Sequence, residues 1–354
     1  MTTERQQRTR VSRELHARAA ELASATVALH YERVPQLVAR YGAPGRVRCL
    51  EDAHYHLSYL EQALAADSPV LFTSYVQWAR SMLESRGVPV ADLDMNLRCL
   101  LEILGRETST QAAAAMVDDA LLALSGPTGD IPTLLRDSEP HGQLAREYLR
   151  LLLDWERRGA SQLILDAVAA GASIRDMYMH VFQPAQHELG RLWQLNEISI
   201  AQEHYCTAAA QLIMSQLYPQ LFAEPRSGRT MIVSCVSGEL HELGARMVAD
   251  LFELDGWDTV YFGANTPAPA LLAAINEHQP KLLAISATLT VHLGRVRELI
   301  DAVRTDADAA HTTIMVGGYC FNRDPELHRR LGADAHSVDA NTAVAIANTL
   351  FEAP

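Results

Sequence analysis

The stretch TMIVSCVSGELHELGARMV, residues 230–248, runs from a β-rich apolar segment straight into Glu239-x-His241-x-x-Gly244 and then into helical spacing. A short apolar run bounded by turn residues reads as a strand buried on both faces, and such strands belong to parallel sheets covered by helices. The rhythm repeats in DTVYFGA (258–264), KLLAISAT (281–288) and TTIMVGG (312–318), each followed by a helical stretch, with a weaker fifth run, DAHSVD (334–339), before the last helix. Strands alternating with helices imply right-handed crossovers. Residues 226–354 are therefore expected to form a flavodoxin-like (Rossmann-type) domain with a five-stranded parallel sheet. Ligands of such sheets sit beyond the carboxyl ends of the strands, which is where His241 falls.

Upstream the pattern changes. Residues 1–125 are expected to be an all-helical domain, with breaks at YGAPGR (41–46), DSP (67–69) and RGVP (86–89). Residues 126–142, rich in Pro, Gly and Asp, read as a linker. Helical spacing resumes over 143–225, giving a helical bundle and a multidomain α and α/β chain.

Composition narrows the function. The chain has 354 residues and a net charge of -13, and Arg5, Arg8, Arg10 and Arg13 near its start alternate with Glu4 and Glu14. Direct binding to nucleic acid is not expected. Five scattered cysteines without a Cys-x-x-Cys pair point away from a disulfide framework or zinc ribbon, and no run is apolar enough to cross a bilayer. A cytoplasmic protein without membrane contact is the expectation. No Gly-x-Gly-x-x-Gly or Walker loop accompanies the strands.

Glu239 can hold one nitrogen of His241 and so raise the basicity of the other as a metal ligand. Gly244 lets the next helix start close to a bulky group. The loops after the third and fourth strands offer Ser286, Thr288 and Thr290, then Gly317 and Gly318, so small residues line a slot. ELHELG, SATLT and GGYCF in this order resemble the cobalamin-binding domain of methionine synthase, corrinoid proteins and mutases. The resemblance implies His241 as the lower axial cobalt ligand, Glu239 as its partner, Leu240 and Gly244 beside it, and Ser286, Thr288, Gly317 and Gly318 around the displaced nucleotide tail.

In the bundle, LWQLNEISIAQEHYCTAAAQLIMSQL (192–217) carries Trp193 and Glu203-His204, and Ser199 with Gln202 forms a capping-box pair that starts a helix at about Ile200. Glu203 shares a stripe with Cys206, Ala210, Ile213 and Leu217, so a partner or ligand is expected for its carboxylate. The Trp-x9-Glu-His pattern resembles light-sensing adenosylcobalamin proteins of the CarH type. By that resemblance Trp193, Glu203 and His204 cap the 5′-deoxyadenosyl group, and its loss unpacks the bundle from the cobalamin domain. Gln194 stands where those proteins have a histidine, leaving His187 or His204 as substitutes for the upper ligand.

The segment 50–83 resembles the N-terminal domain of photocobilins, which pair adenosylcobalamin with a biliverdin-type bilin. Leu50, His54, Leu57, Glu61 and Leu64 share one helical face, His56 and Tyr59 the next, with Tyr75 and Trp78 on the following helix. Such helices can offer a tetrapyrrole slot, and His54, His56, Tyr59, Tyr75 and Trp78 are the expected bilin contacts; they equally suit an ordinary core. Non-covalent binding is expected over attachment at Cys49 or Cys99. The combined expectation is a light sensor rather than an enzyme, signalling through domain or oligomer rearrangement, with a homo-oligomer, by the resembled family's habit a dimer, or a separate output protein as partner. The alternative is a corrinoid methyl carrier serving a methyltransferase.

Overall fold

The computed structural model describes residues 3–124, 126, 131–221 and 226–351. Five helices open the chain: α1 (Thr3–Arg33), α2 (Gln36–Ala65), α3 (Pro69–Ser85), α4 (Val90–Gly105) and α5 (Gln111–Leu124). The expected break at 41–46 is a kink inside α2, where Gly42 takes φ 62°, ψ -163° and Pro44 follows. Proline removes a helical donor and the left-handed φ is one that glycine tolerates, so the chain bends without ending the helix. At α3, Pro69 occupies the first turn, where its missing N–H costs nothing.

The described chain divides into two compact units. The first holds α1–α5 with residues 289–294 and 323–331. Within it, Arg323 donates to Ser74 Oγ at 3.1 Å and Arg330 to the Ala66 carbonyl at 3.1 Å. Its core includes Leu57, Leu60, Phe72, Val76, Leu97, Leu104 and Val117, all buried. Of the expected linker, residues 127–130 lie outside the described residues.

The second unit holds α6 (Gly142–Leu153), α7 (Arg157–Ala169), α8 (Ile174–Met177), α9 (Gln183–Gln194) and α10 (Ile200–Leu217), followed by the sheet. A single π turn, Tyr178–Phe182, joins α8 to α9 just before Pro184, which has no N–H to donate. The capping box at Ser199 forms as expected, with Ser199 Oγ accepting from Gln202 N at 3.2 Å.

The strands are β1 (Thr230–Val236), β2 (Asp258–Thr266), β3 (Leu282–Ser286), β4 (Thr313–Gly317) and β5 (Ala335–His336), all parallel in the order β2-β1-β3-β4-β5. This is the flavodoxin-like order. Between them run α11 (Leu243–Leu254), α12 (Ala268–His278), α13 (Leu293–Thr305), α14 (Tyr319–Arg323) and α15 (Leu327–Leu331), with α16 (Ala340–Phe351) last. The register places Cys235, Ser286 and Gly317 side by side, so the loops leaving β1, β3 and β4 open together.

One core runs through bundle and sheet alike, from Tyr148, Phe182, Ile213 and Met214 to Met231, Val233, Leu251 and Trp257. The buried Tyr178 hydroxyl donates to Asp250 Oδ2 on α11 at 2.8 Å. The CarH-type resemblance implies a bundle that unpacks from the sheet domain when its upper cap is lost. Shared burial of this extent makes wholesale separation costly, because each large side chain re-exposed loses about 1.5–3 kcal/mol.

Candidate functional site

At the carboxyl ends of β1 and β3 the Glu239 carboxylate is fully buried. It is satisfied on every side. Oε1 meets His241 Nδ1 at 2.5 Å and accepts the His241 N–H at 3.0 Å, while Oε2 accepts Thr288 N–H at 2.7 Å. A carboxylate against Nδ1 fixes the tautomer and leaves Nε2 as the ligating atom. It also raises the imidazole above its ordinary pKa, against an opposing effect of desolvation. The ring is nonetheless 57% exposed, and Leu240 beside it is 71% exposed, so both are presented to solvent.

The loop is clamped from β2. Asn265, at φ 52°, accepts the Gly238 N–H at 2.8 Å through Oδ1 and donates its own backbone N–H to the Glu239 carbonyl at 3.0 Å. Glu242 accepts from Gln211 Nε2 at 2.9 Å, Ala264 N–H at 2.9 Å and the Tyr261 hydroxyl at 3.2 Å, tying α10 to the same loop. Neither Asn265 nor Glu242 was expected from the sequence. The only sequence signal for Asn265 is its tolerance of left-handed backbone.

The slot residues follow the strand register. A side chain at Gly244 would meet nothing within 4 Å, so the start of α11 borders open space. At Gly318, φ is 103° and a Cβ would stand 2.4 Å from the Ala287 carbonyl oxygen, so the β4 loop passes against the β3 loop with no room to spare. Ser286, Thr288 and Gly317 are half-buried around it, and Cys320 Sγ donates to the Thr288 carbonyl at 3.1 Å.

Trp193 on α9 is half-buried, and Gly190 one turn earlier adjoins open space. Glu203 is not an orphan: Oε2 meets His204 Nδ1 at 2.6 Å and Oε1 accepts from Thr207 Oγ1 at 3.1 Å. Its carboxylate also adds to the raising of His241, so the start of α10 and the β1 loop address one site. His187 is surface-exposed but locally desolvated, which lowers its pKa.

These residues fit a cobalt corrinoid. Among the described residues no group of three or more His, Cys, Asp or Glu is arranged to hold a metal ion. A lone oriented imidazole beside a small-residue slot suits a metal that arrives with its other ligands in a macrocycle, rather than a bare cation.

The first unit contains a second site. A cavity of about 220 Å³ is lined from α1, α2 and α4 by His30, Cys49, Asp52, His56, Asp92 and Asn96, among others. Of the five expected bilin contacts, His56 lines it, with Nδ1 2.8 Å from the Tyr75 hydroxyl. Tyr75 stacks on Tyr59 at 3.8 Å and on Trp78 at 6.4 Å, so these three rings form an aromatic stack joined to the cavity through His56. His54 is half-buried and is not one of the lining residues. Burial pushes the Cys49 thiol up to about 12 and, together with Glu51, the Asp52 carboxyl up to about 6. A protonated thiol is a poor nucleophile.

Comparison with known proteins agrees with the geometry. Residues 144–218 and 229–346 match two family models described as B12 binding domain, and residues 1–125 match the model described as Phycobilisome protein. Trimethylamine corrinoid protein 1 of Methanosarcina acetivorans is 20% identical over 196 residues, 54% of this chain and 90% of that protein. The HTH-type transcriptional repressor CarA of Myxococcus xanthus is 24% identical over 183 residues, 50% of this chain and 60% of that one. The monomethylamine corrinoid protein structure from Methanosarcina barkeri superposes with a TM-score of 0.54 at 20% identity, covering 60% of this chain and all of its own. The fold and the paired matches define a B12-binding module in the second unit. The chain is a corrinoid-binding protein. Among the described residues no helix is long and apolar enough to cross a membrane.

Proposed function

We propose that this corrinoid-binding protein is a light sensor that carries adenosylcobalamin in the second unit and a linear tetrapyrrole of the biliverdin type in the first. The observation that carries the reading is the helical domain itself: residues 1–125 match a phycobilisome-protein model and form a cavity lined by the half-buried carboxyls of Asp52 and Asp92 with histidines and tyrosines. The methylamine corrinoid protein is nine-tenths used by its 196 aligned residues, leaving too little for a counterpart of this domain.

Adenosylcobalamin, when bound, supplies a light-labile cobalt–carbon bond. His241 Nε2 would hold the lower face, aimed by the Glu239 carboxylate on Nδ1, while Trp193 and the Glu203–His204 pair would shield the upper face from water. Glu203 needs little reorganisation for this, because His204 and Thr207 already fix its carboxylate. Asp52 would accept from pyrrole N–H groups, and Arg48, at the cavity rim, would meet a propionate. With Cys49 held protonated, the tetrapyrrole binds non-covalently. Because bundle and sheet share one core, loss of the upper cap is expected to act by local repacking around α10, read out as a changed oligomeric state or partner surface.

The second reading is a corrinoid methyl carrier. The methylamine corrinoid proteins favour it for the module taken alone, more than they favour a photoreceptor. Paired titrations of the full chain with methylcobalamin and adenosylcobalamin in the dark separate the two. Tighter adenosylcobalamin binding that weakens on Trp193→Ala supports the sensor; tighter methylcobalamin binding insensitive to Trp193 supports the carrier.

A further inference from the structure

The cavity of the first unit carries a recognition feature that neither its shape nor its aromatic stack explains. His30 on α1 and Asn96 on α4 are 3% and 4% exposed. Asn96 Nδ2 lies 3.2 Å from His30 Nδ1 and donates to Cys49 Sγ at 3.3 Å. Two atoms of this cluster have no hydrogen-bond partner: His30 Nε2 and Asn96 Oδ1. Burying an unpaired donor or acceptor costs roughly 1–3 kcal/mol each, so two on one cavity wall call for an occupant.

The chemistry of that occupant follows from the proton positions. Burial lowers the His30 pKa, so the imidazole is neutral and carries one N–H. Nδ1 faces the Asn96 amide N–H and is therefore the acceptor, which puts the proton on Nε2. The two lining residues thus hold one unpaired buried donor, His30 Nε2–H, and one unpaired buried acceptor, Asn96 Oδ1. A group that satisfies both at once carries an acceptor and a donor on adjacent atoms, as a cis-amide does. A cavity of about 220 Å³ is below the roughly 300–1,000 Å³ of a complete ligand pocket, so it encloses the end of a long ligand.

We infer that His30 and Asn96 form a clamp for a lactam, seating the terminal pyrrolinone ring of a linear tetrapyrrole with its C=O on His30 Nε2–H and its N–H on Asn96 Oδ1. The inference rests on the bilin reading above and deepens it, because it selects linear tetrapyrroles, whose end rings are lactams, against cyclic ones, which have none.

The test uses the full chain loaded with adenosylcobalamin and titrated in the dark with biliverdin and, separately, with hemin, following absorption. His30→Leu and Asn96→Leu each weaken biliverdin binding about tenfold or more and displace its red band, and the double variant loses less than the product of the two. His30→Gln, whose amide N–H can replace Nε2–H, stays within about threefold of the parent. Asn96→Asp keeps the shape but sets an acceptor against His30 Nδ1, which moves the imidazole proton to that edge; it should bind as poorly as Asn96→Leu. Unchanged helical circular dichroism and melting temperature confirm that each variant is folded. Parent protein that retains biliverdin, with folded Asn96→Asp and His30→Leu variants of unchanged affinity and band, would overturn the clamp and leave the bilin reading standing. So would hemin bound as tightly as biliverdin. Parent protein that retains no biliverdin would overturn both.

Discussion

The two sites are built in opposite ways. The site of the second unit is concentrated: Glu239, Leu240, His241 and Gly244 sit within six residues of one another, and the parallel register brings Ser286 and Gly317 alongside. The cavity of the first unit is dispersed, with His30 and Asn96 66 residues apart on different helices and Cys49, Asp52 and His56 on a third. A concentrated site depends on backbone geometry and fails at one position. A dispersed site depends on several side chains, each carrying part of the binding.

That contrast is open to attack, most severely at Gly318. Alanine there places a Cβ 2.4 Å from the Ala287 carbonyl at a φ of 103°, which L-residues rarely adopt. Loss of about 3 kcal/mol or more in urea unfolding, with loss of cobalamin uptake, is expected. Wild-type stability would mean the loops after β3 and β4 do not depend on close backbone contact.

The first unit should reveal itself through pH. Burial holds His56 down to about 4, against an ordinary value of 6.5. With the folded value depressed, the unfolded chain binds the proton first. Stability from neutral His56 is therefore complete above about pH 6.5 and is lost as pH falls from there towards 4, by about 3 kcal/mol in total. Replacing His56 with Phe should flatten this slope in pH-dependent unfolding; an unchanged slope would place the acid sensitivity elsewhere.

A smaller effect is expected at Glu239→Gln, which keeps shape and removes charge. Cobalamin affinity should fall about 10- to 100-fold as the hold on His241 Nδ1 weakens, measured by titration. The smallest belongs to Leu240, whose side chain is 71% exposed. Leu240→Ser should lower corrinoid affinity by about 1 kcal/mol, through lost apolar burial against the ligand, while leaving the melting temperature of the free protein unchanged. A shift in that temperature would show that Leu240 is a core residue instead.

How far the sequence was legible follows the same divide. The run TMIVSCV predicts β1 residue for residue, and the fifth strand is the short Ala335–His336. The Glu-x-His spacing placed the carboxylate on the ring nitrogen because both lie on one loop. Asn265 escaped because its action is a backbone clamp across strands, and Glu242 because its partners lie on α10 and β2. In the helical domain, facing positions pointed to His54, Tyr59, Tyr75 and Trp78, whereas the cavity draws on α1 and α4, whose contribution no single helix face encodes. Glu203 looked unpaired from its stripe because a helical wheel does not show the adjacent His204 turning back onto it.

We propose above that one chain holds two chromophores. The most direct test of that proposal is an absorption spectrum of the full chain reconstituted with adenosylcobalamin and biliverdin, recorded before and after green light, alongside the oligomeric state. Retained red bilin absorbance, with loss of the alkylcobalamin bands and a changed assembly on illumination, is the predicted result. Cobalamin bands that survive illumination in a protein that retains no bilin would contradict it and leave the methyl carrier as the better reading.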